Sequence, residues 1–142
     1  MPFAWDESLA TGSATIDQQH RKLFAQVAML ADAMKQGKGR QEIETLLDFL
    51  GQYVVRHFAE EEKLMEATGC PAAAANKQAH AQLLVTYGDL KKRFDVAGGG
   101  LSLVLEMYDV LSKWLVSHIK GVDIQLHEHV GNAKQNLVSA AK

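Results

Sequence analysis

The chain of 142 residues carries 47% hydrophobic and 23% charged side chains, enough apolar material for one domain to bury a core without disulfides. A formal net charge of -2 and the lack of any basic run argue against a nucleic-acid binder. The lone Cys70 cannot pair within the chain, no basic-then-apolar leader opens it, and no apolar run approaches the ~20 residues of a membrane span, so a soluble cytoplasmic domain is expected.

Residues 1–15 lack periodicity and read as an extended arm, with Trp5 as its anchor. Thr15-Ile16-Asp17-Gln18 fits the capping-box pattern that starts a helix. From there Ile16, His20, Leu23, Val27, Leu30 and Met34 recur at helical spacing, predicting a first helix over about 16–37, broken by Gly37-Lys38-Gly39. The second, over about 41–67, carries Ile43, Leu47, Leu50, Val54, His57, Glu61 and Met65 and stops near Gly69-Cys70-Pro71. The third, over about 72–96, presents Asn76, His80, Leu83, Tyr87, Leu90 and Phe94 on one stripe before the triple glycine at 98–100. The fourth, over about 101–120, has Val104, Tyr108, Leu111, Leu115 and His118 on its stripe and meets Gly121. A polar tail, 124–142, follows; its His127 and His129 diverge on a helix and read as solvated surface residues. Strand-like alternation is absent, so the fold class is all-α, an up-down-up-down four-helix bundle with an N-terminal arm and a short C-terminal tail.

The stretch His57-Phe58-Ala59-Glu60-Glu61 puts an imidazole and a carboxylate one turn apart on a core-facing stripe. Buried, both are costly unless paired or coordinated. In antiparallel helices, residues equidistant from the connecting loop sit at one height. His20 mirrors His57 about the first break, while His57 mirrors His80 and Glu61 mirrors Asn76 about the second. His80 mirrors His118 about the triple glycine. Asp123 lies five residues past His118, about 140° round an ideal helix, so it reaches the same point only if Gly121 ends or distorts the helix. One histidine on an apolar stripe is most often a hydrogen-bonded core residue. Four at one height, with carboxylates from two helices, point instead to a metal site of mixed N/O donors. That donor set suits first-row transition metals, iron especially, and carboxylates able to bridge suggest two ions. A lone zinc on three histidines would leave both carboxylates unexplained.

With Trp5, Ile16-Asp17-Gln18-Gln19-His20, His57 to Glu62 with Met65, Pro71, His80, and His118-Ile119-Lys120-Gly121-Val122-Asp123, the chain resembles the hemerythrins over about residues 3–125, the single-domain bacterial forms above all. The resemblance implies one hemerythrin-like domain over 1–142 holding a non-haem di-iron centre, two oxo- or hydroxo-bridged iron ions, and O2 as the ligand for transport, storage or sensing. It implies Glu61 and Asp123 as bridging carboxylates, His20 and His57 on the iron open to O2, and His80 and His118 on the other. Leu115, Ile119 and Trp114 match positions lining or flanking the O2 pocket, where plain core packing is an equal reading.

The departure is Asn76, where the family pattern has a seventh ligand, a histidine. An amide offers only a neutral carbonyl oxygen on a shorter side chain. Three outcomes stay open: Asn76 or a water fills the position, the position stays open, or that iron is weakly held. An O2-binding protein rather than an enzyme is the first expectation. The alternative is a di-iron enzyme processing peroxide or NO, with peroxidase, catalase-like or NO-reducing activity.

Overall fold

The computed structural model describes residues 4–97 and 100–126. Four helices make up nearly all of it: α1 (Ala14–Lys35), α2 (Arg40–Thr68), α3 (Ala73–Ala97) and α4 (Leu101–Gly121). Among the described residues there is no strand. α1 packs on α2 and α4, and α3 packs on α2 and α4, so sequential helices are neighbours and the ring closes between first and last. Short connections force this, since three or four residues can only turn the chain back antiparallel.

Two of the turns are set by glycine. Gly37 and Gly69 have φ of 67° and 68°, the left-handed conformation that closes a helix C-terminus. Lys38 N–H donates to Ala33 O at 2.9 Å and Cys70 N–H to Met65 O at 3.0 Å, the long-reach bonds of that closure.

The N-terminus departs from the sequence expectation in two ways. α1 begins at Ala14 with Ser13 as its cap, whose hydroxyl accepts from Ile16 N–H at 3.2 Å, rather than with a box opened by Thr15. Asp17 is instead drawn backward, its Oδ1 accepting from the backbone N–H and hydroxyl of Thr11 at 2.8 Å each. Nor is the arm extended throughout: Glu7–Leu9 form a 3-10 turn (η1) capped by Asp6, and this turn drives Leu9 into the core at 3% exposure. Trp5 meets Phe24 edge-on at 6.0 Å, as an anchor would.

Three apolar layers stack along the bundle. Leu30, Leu47, Phe94, Val104 and Met107 fill the end near the first and third turns. Leu23, Val54, Phe58, Leu83, Leu111 and Leu115 fill the middle. Ile16, Met65, Cys70, Ala72 and Leu126 close the opposite end. On α4, Val104, Leu111, Leu115 and His118 of the expected stripe are buried, while Tyr108 is half-buried and Met107 beside it is fully buried. The tail is less polar where it begins: a second 3-10 turn, η2 (Asp123–Leu126), buries Leu126 completely. His127, His129 and the rest of the expected tail lie outside the described residues. No helix among those described is long and apolar enough to cross a membrane.

Candidate metal centre

Between the middle apolar layer and the closing one lies a polar level. On α1 it falls between Leu23 and Ile16, on α2 between Val54 and Met65, on α3 between Leu83 and Ala72, and at the end of α4 between Leu115 and Leu126. Its members are His20, His57, Glu61, Asn76, His80, His118 and Asp123, none more than 6% exposed. α4 ends at Gly121, Val122 caps it, and Asp123 opens η2, so the carboxylate turns back beneath His118 instead of continuing round the helix.

The two carboxylates divide their oxygens between two groups of imidazoles. Glu61 Oε2 lies 3.0 Å from His20 Nε2 and 3.3 Å from His57 Nε2. Its other oxygen, Oε1, lies 3.1 Å from His80 Nε2. Asp123 repeats the pattern, Oδ2 being 3.3 Å from His20 Nε2 and Oδ1 3.1 Å from His118 Nε2. Two overlapping donor sets result, one of Glu61, His80, His118 and Asp123, the other of His20, His57 and Glu61, each compact enough to surround an ion. Asn76 joins the first set. Its Oδ1 is 2.6 Å from His118 Nε2 and its Nδ2 donates to Glu61 Oε1 at 3.0 Å.

Several contacts make poor sense as a hydrogen-bonded core and good sense around cations. His80 Nε2 and His118 Nε2 face each other at 3.2 Å, where at most one of the two nitrogens can donate to the other. Asp123 Oδ1 is buried with no hydrogen-bond partner among the described residues; His118 Nε2, 3.1 Å away, lies closer to Asn76 Oδ1 at 2.6 Å. Burial pushes the His20 imidazole pKa down, but Asp123 and Glu61 outweigh it and the pKa rises to about 9. Burial raises Glu61, yet His20, His57 and His80 hold its carboxyl well below the usual range. The level is thus built to hold positive charge between two anions, which a metal ion does better than a proton. The residues present fit a di-iron centre: imidazole and carboxylate donors, and two carboxylates each able to reach both ions.

Partners outside the donor set orient the rings. His57 Nδ1 lies 2.7 Å from Gln19 Oε1, and Gln19 in turn donates its Nε2 hydrogen to Glu60 Oε2. His80 Nδ1 is 3.4 Å from Glu62 Oε2. Phe58 stacks on His80 at 3.7 Å and Trp114 on His118 at 4.3 Å, so flat apolar walls fix both planes. Buried His20 Nδ1 has no hydrogen-bond partner among the described residues. The sequence reading assigned no role to Gln19, Glu60 or Glu62. The only signal was their adjacency to His20 and Glu61, which does not say that a side chain reaches across to another helix.

Of the three pocket candidates, Trp114 and Leu115 line a small apolar cavity of about 20 Å³ together with Leu23, Phe58 and Leu111. Ile119 is fully buried but is not among the residues lining it. Neither Tyr87 nor Cys70 joins the site: the Tyr87 hydroxyl donates to Leu47 O, and Cys70 is buried in the closing apolar layer.

Fold and site together define a helical-bundle protein with an internal, mixed imidazole–carboxylate metal centre. Comparison with known proteins narrows the class. The family model described as the hemerythrin HHE cation binding domain matches residues 11–130. A bacteriohemerythrin of Pseudomonas paraeruginosa is 32% identical over 136 residues, covering 96% of this chain and 86% of the relative. One of Stenotrophomonas maltophilia is 34% identical over 121 residues, covering 85% and 76%. The hemerythrin-like protein of Naegleria gruberi is 32% identical over 130 residues, covering 87% and 90%. The crystal structure of a wild-type hemerythrin superposes with a TM-score of 0.79 at 32% identity, covering 89% of this chain and 95% of that one. The chain belongs to the hemerythrin family, and its cofactor is a non-haem di-iron centre.

Proposed function

We propose that the protein binds O2 at this centre, for transport, storage or sensing, with Glu61 and Asp123 bridging the two irons. In this reading His20 and His57 hold one ion, His80 and His118 hold the other, and Asn76 Oδ1 stands where a further imidazole would complete the second. The observation that carries the assignment is the divided carboxylates: each sends one oxygen toward each imidazole group. A carboxylate serving a single ion, or a plain salt bridge, has no reason to split in this way at both positions.

When bound, the irons supply the electrons O2 requires and a position at which to hold it. What the chain adds is access and exclusion. The donor set on the His20–His57 side has three side chains against four on the other, and a surface pocket reaches Gln19 and His57 there. The neighbouring cavity of about 20 Å³ is large enough for one molecule of water size and is walled by Leu23, Leu111 and Leu115, which favour an apolar guest over water. Excluding water limits proton access, which favours reversible binding over irreversible oxidation. The lone, buried Cys70 is in keeping with a reducing compartment such as the cytoplasm.

A second reading rests on Asn76. A neutral amide oxygen donates less charge than imidazole, and it is itself tied to Glu61 through Nδ2. An ion held this loosely has room for a second exogenous ligand, as an enzyme processing peroxide or NO would need. Metal analysis of the anaerobically reduced protein, followed by optical spectra on exposure to O2, tests both. Two irons per chain and a charge-transfer band that disappears on removal of O2 are expected. Sustained turnover of peroxide or NO would favour the enzyme, and fewer than one iron per chain would sink both readings.

A further inference from the structure

On the His57 side of the site, a surface pocket lined by Gln18, Lys22, Tyr53 and Arg56 reaches down to Gln19 and His57. The pocket abuts His57, and Gln19 stands between the ring's Nδ1 and solvent. Water there would donate or accept indifferently and would set no direction for the ring's proton. Gln19 holds that position instead, its Oε1 lying 2.7 Å from His57 Nδ1.

An amide can present either its oxygen or its NH2, so Gln19 alone would not fix the matter. Glu60 does. Its Oε2 receives the Gln19 amide nitrogen, and a carboxylate can only accept. Arg56 Nε stands 3.5 Å from Glu60 Oε1, on the side of the carboxylate away from Gln19. With the NH2 committed to Glu60, the Gln19 oxygen must face His57, and Nδ1 must carry its hydrogen. Nε2 is then the nitrogen left to serve a cation beside Glu61 Oε2.

We infer that Gln19 and Glu60 are positioning residues that act in series, Glu60 fixing the sense of the Gln19 amide and Gln19 fixing the proton of His57, so that the His20–His57 half of the centre is presented ready to bind. The inference rests on the ligand assignment proposed above and adds to it a device outside the ligand set. It also implies that the two halves are tuned unequally. His57 leans on a neutral amide, whereas His80 leans directly, though at 3.4 Å, on the carboxylate of Glu62. Partners of this kind typically change metal affinity by about 10–100-fold when removed.

The test uses the full chain with 15N-labelled histidine and Zn2+ as a diamagnetic probe. In the metal-free native protein the His57 Nδ1 proton is expected to be protected from solvent exchange. In Gln19→Leu that protection should vanish, and one of the two Zn2+ equivalents should bind about 10–100-fold more weakly while the other holds. Glu60→Gln, which lets the amide reverse, should fall between. The exchange of roles in Gln19→Glu/Glu60→Gln restores an acceptor facing His57 and a donor facing that acceptor, and should recover both the protected proton and the affinity. A Gln19→Leu protein that binds both ions like the native one overturns the inference. So does a double variant as weak as Gln19→Leu, since side-chain bulk would then explain the loss. A native chain that protects the His57 proton but never takes two ions would refute the ligand assignment and leave the hydrogen-bond series standing.

Discussion

Asn76 is buried among the imidazoles and carboxylates of the centre, and its geometry argues that it takes part in it. Both polar ends of its amide are used, Oδ1 toward His118 and Nδ2 toward Glu61. Replacing it by histidine removes the donor to Glu61 and supplies a stronger base toward the ion that His80 and His118 would hold in the proposed reading. Asn76→His is therefore expected to raise iron occupancy or slow autoxidation, measured as iron per chain and as the decay of the O2-exposed spectrum. No change in either would mean that the amide already serves as well as an imidazole. Glu61→Ala should act in the opposite direction, because it deletes the one side chain that reaches three imidazoles. Bound iron should fall to one per chain or less, and two retained irons would exclude Glu61 as a bridge.

At the scale of the helix, the pattern of the sequence carried far. The loop-mirroring argument needs only antiparallel neighbours and places His20, His57, His80 and His118 at one height, where the structure brings their rings together. Asp123 was legible only as a conditional, because its direction depends on where α4 stops, and the resemblance rather than the spacing singled it out. The start of α1 was misjudged because Thr15, Ser13 and Thr11 are all able to cap. The choice among them is made by Asp17, which binds Thr11 and leaves Ser13 at the turn. Gln19, Glu60 and Glu62 were illegible as a matter of principle, since cross-helix reach depends on rotamers that periodicity does not encode.

One packing detail at this scale is testable. Gly51 lets α3 approach α2: a Cβ there would sit 3.0 Å from Tyr87 Cε1. Tyr87 has little freedom to yield, because its hydroxyl is bonded to Leu47 O. Gly51→Ala gains helix propensity worth up to about 1 kcal/mol. It also meets overpacking of about 1–3 kcal/mol. A net loss of stability is expected by denaturant unfolding, and Gly51→Ala combined with Tyr87→Ala should not show that added overpacking cost.

For the whole molecule, the centre is an electrostatic load that the folded chain must carry when metal is removed. His20 is raised from 6.5 to about 9 on folding. A raised base contributes stability that is fully present below 6.5 and lost as pH climbs through about 9. Glu61 is shifted the other way, so its contribution is present above 4.5 and is lost as pH falls below it. The metal-free protein should thus melt lower at pH 9 than at pH 6.5, and His20→Gln should flatten that alkaline decline. An identical decline in the variant would place its origin elsewhere.

Each of the four rods gives up one imidazole to the same depth, one of them adds an acid, and the turn after the last adds another. Cations held there would cross-brace the bundle the way a spoke hub braces a rim, so no single rod could fray without surrendering its grip on the rest. Amide hydrogen exchange should register this directly. Without metal, α1 to α4 are expected to open with separate free energies, whereas loading should draw their slowest amides toward a common rate. Rods that continue to exchange independently after loading would show that the hub is too slack to couple them.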